Sequence, residues 1–311
     1  MTVRTGPRVV AVVLHYGDPD DTVAAVRSIA AGSWLDATVA VVDNDEEPDP
    51  DALRRRLDPT VRYLPAGGNL GYAGGNNLGL QLARELGADY AWLVNPDARA
   101  GVDALAELVA AADATPTAAL VGSRLVAGTP ARIRYDGAEI DVRSGETRLL
   151  REGMPADEAP AGAAIDTDYA HGASVLVRTA RLPLLGLIPE QYFLYFEETD
   201  WALRARALGL RVLVAPRSVV VHERRSARRI PSAGYVYYMV RNREIFAATW
   251  GFDIDGARGV TDQFVSGWRR RLAQARPDLL DRYDALVAAA RADGAAGVVG
   301  RSDVPDRLAM R

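Results

Sequence analysis

Residues 8–32 have the sequence RVVAVVLHYGDPDDTVAAVRSIAAG, a β-branched apolar run followed by an acidic segment. The apolar run, residues 8–16, is typical of a strand that is buried on both faces of a parallel sheet. The acids that follow favour a helix N-terminus, and Gly32 favours the end of that helix. This unit indicates the fold class, because strands that alternate with helices form right-handed βαβ units around a largely parallel sheet.

The alternation of strands and helices continues to about residue 115. Predicted strands lie at 37–45, 61–65 and 88–98, and predicted helices at 49–58, 71–87 and 101–115. Beyond residue 116 the pattern changes to an antiparallel ribbon at 131–150, a strand at 165–178 and two short strands at 211–223. The aromatic run at 190–196 is predicted to be a strand that leads into an acidic helix, and the chain from about 226 is predicted to be helical.

Composition excludes several classes of protein. The chain has 311 residues with a net charge of −4, so no broad basic surplus indicates a nucleic-acid partner. It has no cysteine, which excludes disulfides, thiolate nucleophiles and cysteine-bound metals. All 37 basic residues are arginine, which excludes a Schiff-base lysine and a P-loop lysine. Apolar runs are too short for a signal peptide or a membrane span, and we expect a cytoplasmic protein.

Polar side chains follow the predicted strands at the ends where α/β proteins bind ligands. His15 and Tyr16 follow the first strand, Asp43 ends the second, Asn69 follows the third, and residues 95–97 follow the fourth. Asp43 either accepts the imide N–H of uracil or thymine, or serves as a turn or capping acid. Asp97, in the sequence Asn-Pro-Asp, is either one carboxylate of a Mg²⁺ or Mn²⁺ site at a diphosphate or part of an Asx-type turn.

The glycine-rich segment NLGYAGGNN, residues 69–77, is not a dinucleotide fingerprint, since that motif must follow the first strand directly. Its glycines either soften a helix entrance or permit close approach of the backbone to a ligand. In the second case Asn69, Gly75 and Asn76 contact the donor substrate.

Two further groups are candidates for chemistry. The segment FEETDW contains Glu197, Glu198 and Asp200, which either cap a helix or supply a general base from a semi-apolar wall. His222 ends a strand and is either a packed or surface residue or a metal or phosphate partner. A basic cluster follows it, either a solvated loop or a phosphate clamp, and consists of Arg224, Arg225, Arg228 and Arg229.

Eight motifs in this order resemble an inverting family 2 glycosyltransferase of the GT-A fold, most closely its bacterial rhamnosyltransferase-type branch. The resemblance covers roughly residues 8–250. The motifs are VVLHYG, VVDND, NLGYAGGNNLG, LVNPDA, HGASVLVR, FLYFEETDWALRARALG, VVVHE and YYMVRNRE.

The resemblance implies a metal-dependent transfer from a nucleotide-diphospho-sugar, linked to TDP or UDP and with TDP-rhamnose as one candidate. Asp97 matches the last acid of the family's metal motif, and His222 matches a histidine at the metal or diphosphate. Asp43 matches the acid that contacts the base, and Asn95 would support the donor sugar or the turn. Glu198 stands where the family's catalytic base stands, usually an Asp in a Glu-Asp pair.

The departure at residues 197–198, Glu-Glu for Glu-Asp, leaves Glu197 and Asp200 as alternative bases. We expect acceptor contacts from His171, Gly172 and Trp201. The acceptor is a glycan, a lipid-linked sugar or a small molecule. Two other functions stay open. The chain is either a catalytically silent protein that binds a sugar nucleotide, or a sugar nucleotidyltransferase. A nucleotidyltransferase requires a basic loop after the first strand, and the segment HYGDPDD lacks it.

The predicted organisation is an α/β GT-A catalytic domain at 1–225 followed by a helical C-terminal extension at 226–311. The donor half spans about 8–115 and the acceptor half about 116–225. Contact with the inner face of a membrane, and a homodimer formed through the C-terminal helices, are kept as further expectations.

Overall fold

The computed structural model describes residues 6–46, 51–223 and 230–310. The chain divides into two compact units. The first unit groups residues 1–139, 149–189 and 198–223. The second groups residues 140–148, 190–197 and 224–311.

The first unit is built on a sheet that is ten-stranded over the described residues. Its N-terminal half contains β1 (Val9–His15), α1 (Pro19–Ala30), β2 (Thr38–Asp43), β3 (Arg62–Pro65), α2 (Gly71–Glu85), β4 (Tyr90–Val94), β5 (Ala98–Ala100) and α3 (Ala104–Ala114). Strands β4, β1, β2 and β3 are neighbours in that order and all parallel, so their carboxyl ends share one edge of the sheet.

The rest of the sheet mixes parallel and antiparallel pairs. The later elements are β6 (Ala118–Ala127), β7 (Arg132–Tyr135), β8 (Ala138–Ile140), β9 (Thr147–Leu149), β10 (Ile165–Asp166), β11 (Ser174–Arg178), α4 (Leu182–Leu185), α5 (Glu197–Ala207) and β12 (Arg211–His222). Strand β11 lies antiparallel between β4 and β6, while β12 runs parallel to β6. The small strand β5 pairs antiparallel with the end of β12, and β8 pairs with β9 as a separate ribbon.

Helix α2 packs very closely against β1. A Cβ atom added at Gly79 would lie 2.3 Å from Val12 Cγ1, and one added at Gly75 would lie 2.3 Å from Leu14 Cδ1. All seven residues of β1 are buried, as expected for a strand covered on both faces. The glycines therefore bring the helix close to the central strand, and Gly75 has a packing role in this structure.

The second unit contains four helices, counted over the described residues. They are α6 (Ala233–Trp250), α7 (Ile254–Ala275), α8 (Leu280–Ala295) and α9 (Val304–Arg307). Tyr237 and Tyr238 of α6 are buried in a core shared with Leu272, Tyr283 and Leu286. Over the part of the chain that the structure describes, every helix is too short or too polar to cross a membrane.

The predicted α/β class and the C-terminal helices are confirmed, and three local predictions are wrong. The segment at 211–223 holds one strand with an irregularity between Ala215 and Val219, instead of two strands. The helix predicted at 49–58 is only a 3₁₀ turn over Arg54–Arg56 among the described residues. The aromatic run at 190–196 is not a strand but a 3₁₀ turn over Glu190–Tyr192 and a loop with left-handed residues.

Candidate active site

The pairing of β5 with β12 brings Asp97 next to His222. Asp97 lies in the turn between β4 and β5, and the register places Ala98 opposite His222 at the end of β12. The His222 Nε2 atom lies 3.1 Å from Asp97 Oδ1, so two residues that are 125 positions apart form one polar pair. The pair stands at the carboxyl end of β4, where α/β sheets bind ligands.

The charge of Asp97 is stabilised in this position. Burial acts to raise the pKa of this carboxyl group, but the hydrogen bond and charge of His222, with a contribution from Arg99, hold it below its usual value. Arg99 in turn pairs with Asp21 of α1 at 3.1 Å. Asp97 is therefore an anion over the physiological pH range, as a metal ligand must be.

His171 extends the polar pair. Its ring centroid lies 5.9 Å from that of His222. Its Nδ1 atom accepts the backbone N–H of Ala173 at 3.0 Å, which leaves the proton of the neutral ring on Nε2. Burial, with a smaller contribution from the charge of His222, lowers the pKa of His171 to about 3. The imidazole is therefore neutral and can donate one hydrogen bond.

Gly172, the residue after His171, contacts the carboxyl group of Glu198 through its backbone N–H. Burial raises the pKa of Glu198 above its usual value, and the backbone N–H groups of Glu198 and Gly172 counter this effect only in part. The Glu198 Oε2 atom is buried and has no hydrogen-bond partner among the residues that the structure describes. A carboxylate with an unpartnered oxygen and a raised pKa is suited to accept a proton.

Gly172 is fixed by Tyr72, a residue to which no sequence motif assigned a role. The Tyr72 hydroxyl donates to the Gly172 carbonyl at 2.7 Å, and a Cβ atom at position 172 would lie 2.5 Å from that hydroxyl oxygen. Only glycine fits there without a shift of the tyrosine. No signal in the sequence pairs two residues that are 100 positions apart.

The other residues of the acidic segment face the interior. Asp200 is fully buried and pairs with Arg204 one turn later at 2.7 Å. Trp201 is also buried, and its indole donates to the Gly186 carbonyl at 3.1 Å. Glu197 is 2% exposed, whereas Glu198 keeps partial exposure.

The carboxyl ends of β2 and β3 form a second polar group. Asp43 accepts a hydrogen bond from the Tyr63 hydroxyl and another from the backbone N–H of Asp45 at 3.2 Å. The buried Asn44 donates to Asn69 Oδ1 at 3.3 Å and accepts the Leu70 N–H at 2.8 Å. Asn44 thus ties the end of β2 to the entrance of α2.

The remaining candidates serve mainly as supports. His15 is buried and bonded to Thr22 at 2.7 Å, whereas Tyr16 is 58% exposed beside it. Asn76 is buried and donates to the Tyr72 carbonyl at 3.0 Å. The Asn95 N–H donates to the Ala173 carbonyl at 3.1 Å, which joins the turn to the His171 loop.

Five of the predicted site residues therefore form one connected group, and the other predicted residues lie beside or beneath this group. The connected residues are Asp97, His171, Gly172, Glu198 and His222. Over the described residues no group of three or more His, Asp or Glu side chains could hold a metal ion. The predicted phosphate clamp at Arg224, Arg225, Arg228 and Arg229 lies outside the described residues.

Comparison of the sequence with known families gives a match to the model of "Glycosyl transferase family 2" over residues 10–160. The hexosyltransferase Agl10 of low-salt glycan biosynthesis, from Haloferax volcanii, is 23% identical over 281 residues, covering 83% of this chain and 81% of that protein. An N-acetylglucosaminyl-diphospho-decaprenol L-rhamnosyltransferase from Mycobacterium tuberculosis is 27% identical over 234 residues, covering 67% of this chain and 74% of that protein.

Solved glycosyltransferase structures share the fold. The mannosyltransferase PcManGT from Pyrobaculum calidifontis, in complex with GDP-Man and Mn²⁺, has a TM-score of 0.56 at 18% identity, over 99% of this chain and 79% of that one. GalNAc-T7 with UDP, GalNAc and Mn²⁺ has a TM-score of 0.59 at 14% identity, over 76% of this chain and 48% of that one. The predicted GT-A fold is confirmed.

Proposed function

We propose that the chain, whose residues 10–160 match the glycosyl transferase family 2 model, moves a sugar from a nucleotide-diphospho-sugar to an acceptor hydroxyl with inversion, using a divalent cation. The observation that carries the proposal is the pair of Asp97 and His222 at 3.1 Å, connected through His171 and Gly172 to the unpartnered carboxyl oxygen of Glu198. One end of this constellation is suited to hold a cation, and the other to accept a proton.

The geometry of Asp97 and His222 fits a divalent cation. The Asp97 carboxylate and the His222 imidazole, 3.1 Å apart, are ligand types that Mg²⁺ or Mn²⁺ accepts, and they would hold the cation. Mg²⁺ sites with one or two carboxylates take their other ligands from phosphate oxygens and water, so a pair of protein ligands is sufficient. A bound Mg²⁺ or Mn²⁺ would neutralise charge on the departing nucleoside diphosphate.

Glu198 supplies the base in this proposal. The acceptor O–H proton moves to the Glu198 carboxylate, and the acceptor oxygen forms a bond to the anomeric carbon. The bond between that carbon and the diphosphate oxygen breaks, and its electron pair leaves with the nucleoside diphosphate. Because attack and departure occur on opposite faces, the anomeric configuration inverts. Glu198 is favoured over Glu197 and Asp200 since it alone among these acids combines partial exposure with an unpartnered oxygen.

We place the nucleotide at the ends of β2 and β3. Asp43 would accept the imide N–H of a pyrimidine base, with the exposed Tyr16 beside it. TDP- or UDP-linked sugars fit this role, and TDP-rhamnose is the candidate that the rhamnosyltransferase relative supports. A glycan, a lipid-linked sugar or a small molecule would accept the sugar. The predicted domain limits, the homodimer, the membrane contact and the cytoplasmic location stay predictions.

A donor screen by thermal unfolding tests the proposal. Purified protein is scanned with nucleotides and nucleotide sugars, with Mn²⁺ and with EDTA, because a ligand that binds only the native state raises the unfolding temperature. We expect stabilisation by one pyrimidine nucleotide-sugar in the presence of Mn²⁺ only. Slow release of the nucleoside diphosphate, with water as acceptor, distinguishes the enzyme from a silent binding protein. Stabilisation by no nucleotide at all would contradict the proposal.

A further inference from the structure

A cavity of about 890 Å³ lies at the amino ends of β1, β2 and β3. Its lining includes Arg8, which directly precedes β1, Thr38, which begins β2, and Arg62, which begins β3. All of the lining residues belong to the first unit. The candidate active site lies at the carboxyl ends of the strands. Thr38 and Asp43, the two ends of β2, are about 16 Å apart at the usual rise of a parallel strand, so the cavity is separate from that site.

Helix α1 presents one face to the cavity. Val23, Val26, Arg27 and Ala30 line it, and their spacing of three and four residues places them on one side of the helix. Val23 and Val26 are buried, whereas Arg27 is exposed. This wall of the cavity is therefore apolar and is bordered by a cation.

The lining of the cavity is basic. Four arginines line it against one acid, Asp58, although the whole chain has a net charge of −4. The Asp58 carboxylate is engaged within its own turn, where it accepts the backbone N–H and the hydroxyl of Thr60 at 2.9 and 2.6 Å. A cavity with this excess of positive charge attracts anions. The four arginines are Arg8, Arg27, Arg56 and Arg62.

Two of these arginines have donors available for a ligand. Over the residues that the structure describes, Arg27 and Arg62 form no ion pair and no side-chain hydrogen bond. In contrast, Arg8 donates to a carbonyl at the end of α2, and Arg56 pairs with Asp20. A guanidinium presents paired donors that match phosphoryl oxygens, and its plane stacks on aromatic rings. The free pair therefore favours an anion with an aromatic ring.

Trp34 adds an aromatic ring and a donor to the cavity. It lies in the loop between α1 and β2 and is one of the lining residues. Its Nε1 atom is buried and has no hydrogen-bond partner in the part of the chain that the structure describes. Buried donors nearly always have a partner in native proteins, so this N–H indicates a ligand that carries an acceptor.

We propose that this cavity is a second binding site, which takes a small aromatic phosphate. Arg27 and Arg62 bind the phosphoryl oxygens, and the Trp34 N–H donates a further hydrogen bond to the ligand. The ring of the ligand packs against Trp34 and the apolar wall of α1. The volume of about 890 Å³ is in the range of pockets that hold small organic molecules. The inference is independent of the proposed function, since the lining contains none of the candidate active-site residues.

Naphthyl phosphate is a suitable probe, since it joins one phosphate to a flat apolar ring. Its binding to the full chain is measured by calorimetry in EDTA, so that a metal-dependent site does not contribute. We expect binding that the double variant Arg27→Gln with Arg62→Gln weakens about tenfold or more, because two charged donors are lost. Each single variant should weaken binding less than the double variant.

The matched control for each single variant is Arg211→Gln. It makes the same change at an exposed arginine that pairs with Asp166, on the edge of the sheet opposite to β3. This control should leave the affinity unchanged. Trp34→Phe keeps an aromatic ring and removes only the N–H, so it should weaken binding several-fold. Unchanged affinity in the arginine double variant or in Trp34→Phe overturns the proposal.

Naphthol and inorganic phosphate identify which part of the probe is recognised. We expect both to bind much more weakly than naphthyl phosphate. Equal binding of naphthol would show an apolar groove without anion recognition, and equal binding of inorganic phosphate would show a site for the free ion only. Either result overturns the proposal.

Two further measurements keep the test decisive. If the double variant fails to fold, the salt dependence of wild-type binding replaces it, and affinity that is independent of salt contradicts a charge contact. Naphthyl phosphate binding is then measured with UDP or TDP and Mn²⁺ present, and its affinity should not change. Displacement of the probe would place it in the active site and overturn the proposal. Absence of binding by either nucleotide would count against the proposed function alone, because the arginine variants still decide this cavity.

Discussion

Asp97 and Glu198 are carboxylates of the same unit, and their environments shift their acidity in opposite directions. The turn after β4 exposes Asp97 to His222 and Arg99, and the pKa of Asp97 lies below its usual value. The start of α5 buries Glu198 away from any cation among the described residues, and its pKa lies above its usual value. Opposite shifts of this kind separate a permanent anion from a proton acceptor. The comparison assigns Asp97 to the cation and Glu198 to the acceptor hydroxyl.

Removal of the base should have the largest effect. We expect Glu198→Gln to reduce turnover by about 10²- to 10⁴-fold, the usual contribution of a positioned general base. Donor binding should persist, because the variant keeps the side-chain size. Turnover and Mn²⁺-dependent donor affinity are measured on the same sample. Near-normal turnover would transfer the role to Glu197 or to another group.

Removal of the cation ligand should affect binding first. Asp97→Ala should weaken donor binding in Mn²⁺ by about tenfold or more, because a charge-assisted ligand is lost and His222 alone remains. The same variant should bind donor in EDTA as the wild type does. Calorimetry with and without Mn²⁺ gives both donor affinities. An unchanged donor affinity in Mn²⁺ would contradict the proposed role of Asp97.

The Tyr72 hydroxyl offers a smaller perturbation on the Glu198 side. Tyr72→Phe removes the bond to the Gly172 carbonyl and loosens the backbone that contacts Glu198. A hydrogen bond of this kind contributes about 0.5–1.5 kcal/mol, which corresponds to a several-fold loss of turnover. Donor affinity with Mn²⁺ should not change. A loss of affinity without a loss of turnover would place Tyr72 at the donor instead.

The smallest effect concerns stability. A carboxyl group with a raised pKa in the native state binds its proton more tightly there than in the unfolded chain. Its contribution to the free energy of unfolding is therefore present at low pH and is lost as pH rises through the raised pKa, above the usual value of 4.5. Glu198→Gln should consequently stabilise the fold at neutral pH and much less in acid. Urea unfolding at both pH values checks this, and a destabilised variant at neutral pH would contradict the raised pKa.

The sequence predicts the strand ends well, since β-branched runs and the polar residues after them depend on local patterning. It does not predict the pairing of β5 with β12, because three residues at Ala98–Ala100 carry no periodicity. That pairing, and not either residue alone, makes Asp97 and His222 one site.

The aromatic segment shows a second limit of prediction from the sequence. Its apolar run at 190–196 has the composition of a strand, but its carbonyl oxygens bond to Asn242, which is 47 to 50 residues further along the chain. Long-range hydrogen bonds of this kind override local propensity. Trp201 was predicted beside the acceptor from its place in a motif, and the structure places its indole in the interior.

The stereochemistry of transfer tests the central assignment most directly. With the nucleotide-sugar that the donor screen identifies, the anomeric configuration of the first-formed product is followed by proton NMR. A single displacement assisted by Glu198 predicts the configuration opposite to that of the donor, and loss of the product signal in Glu198→Gln. A product that retains the donor configuration would contradict the account.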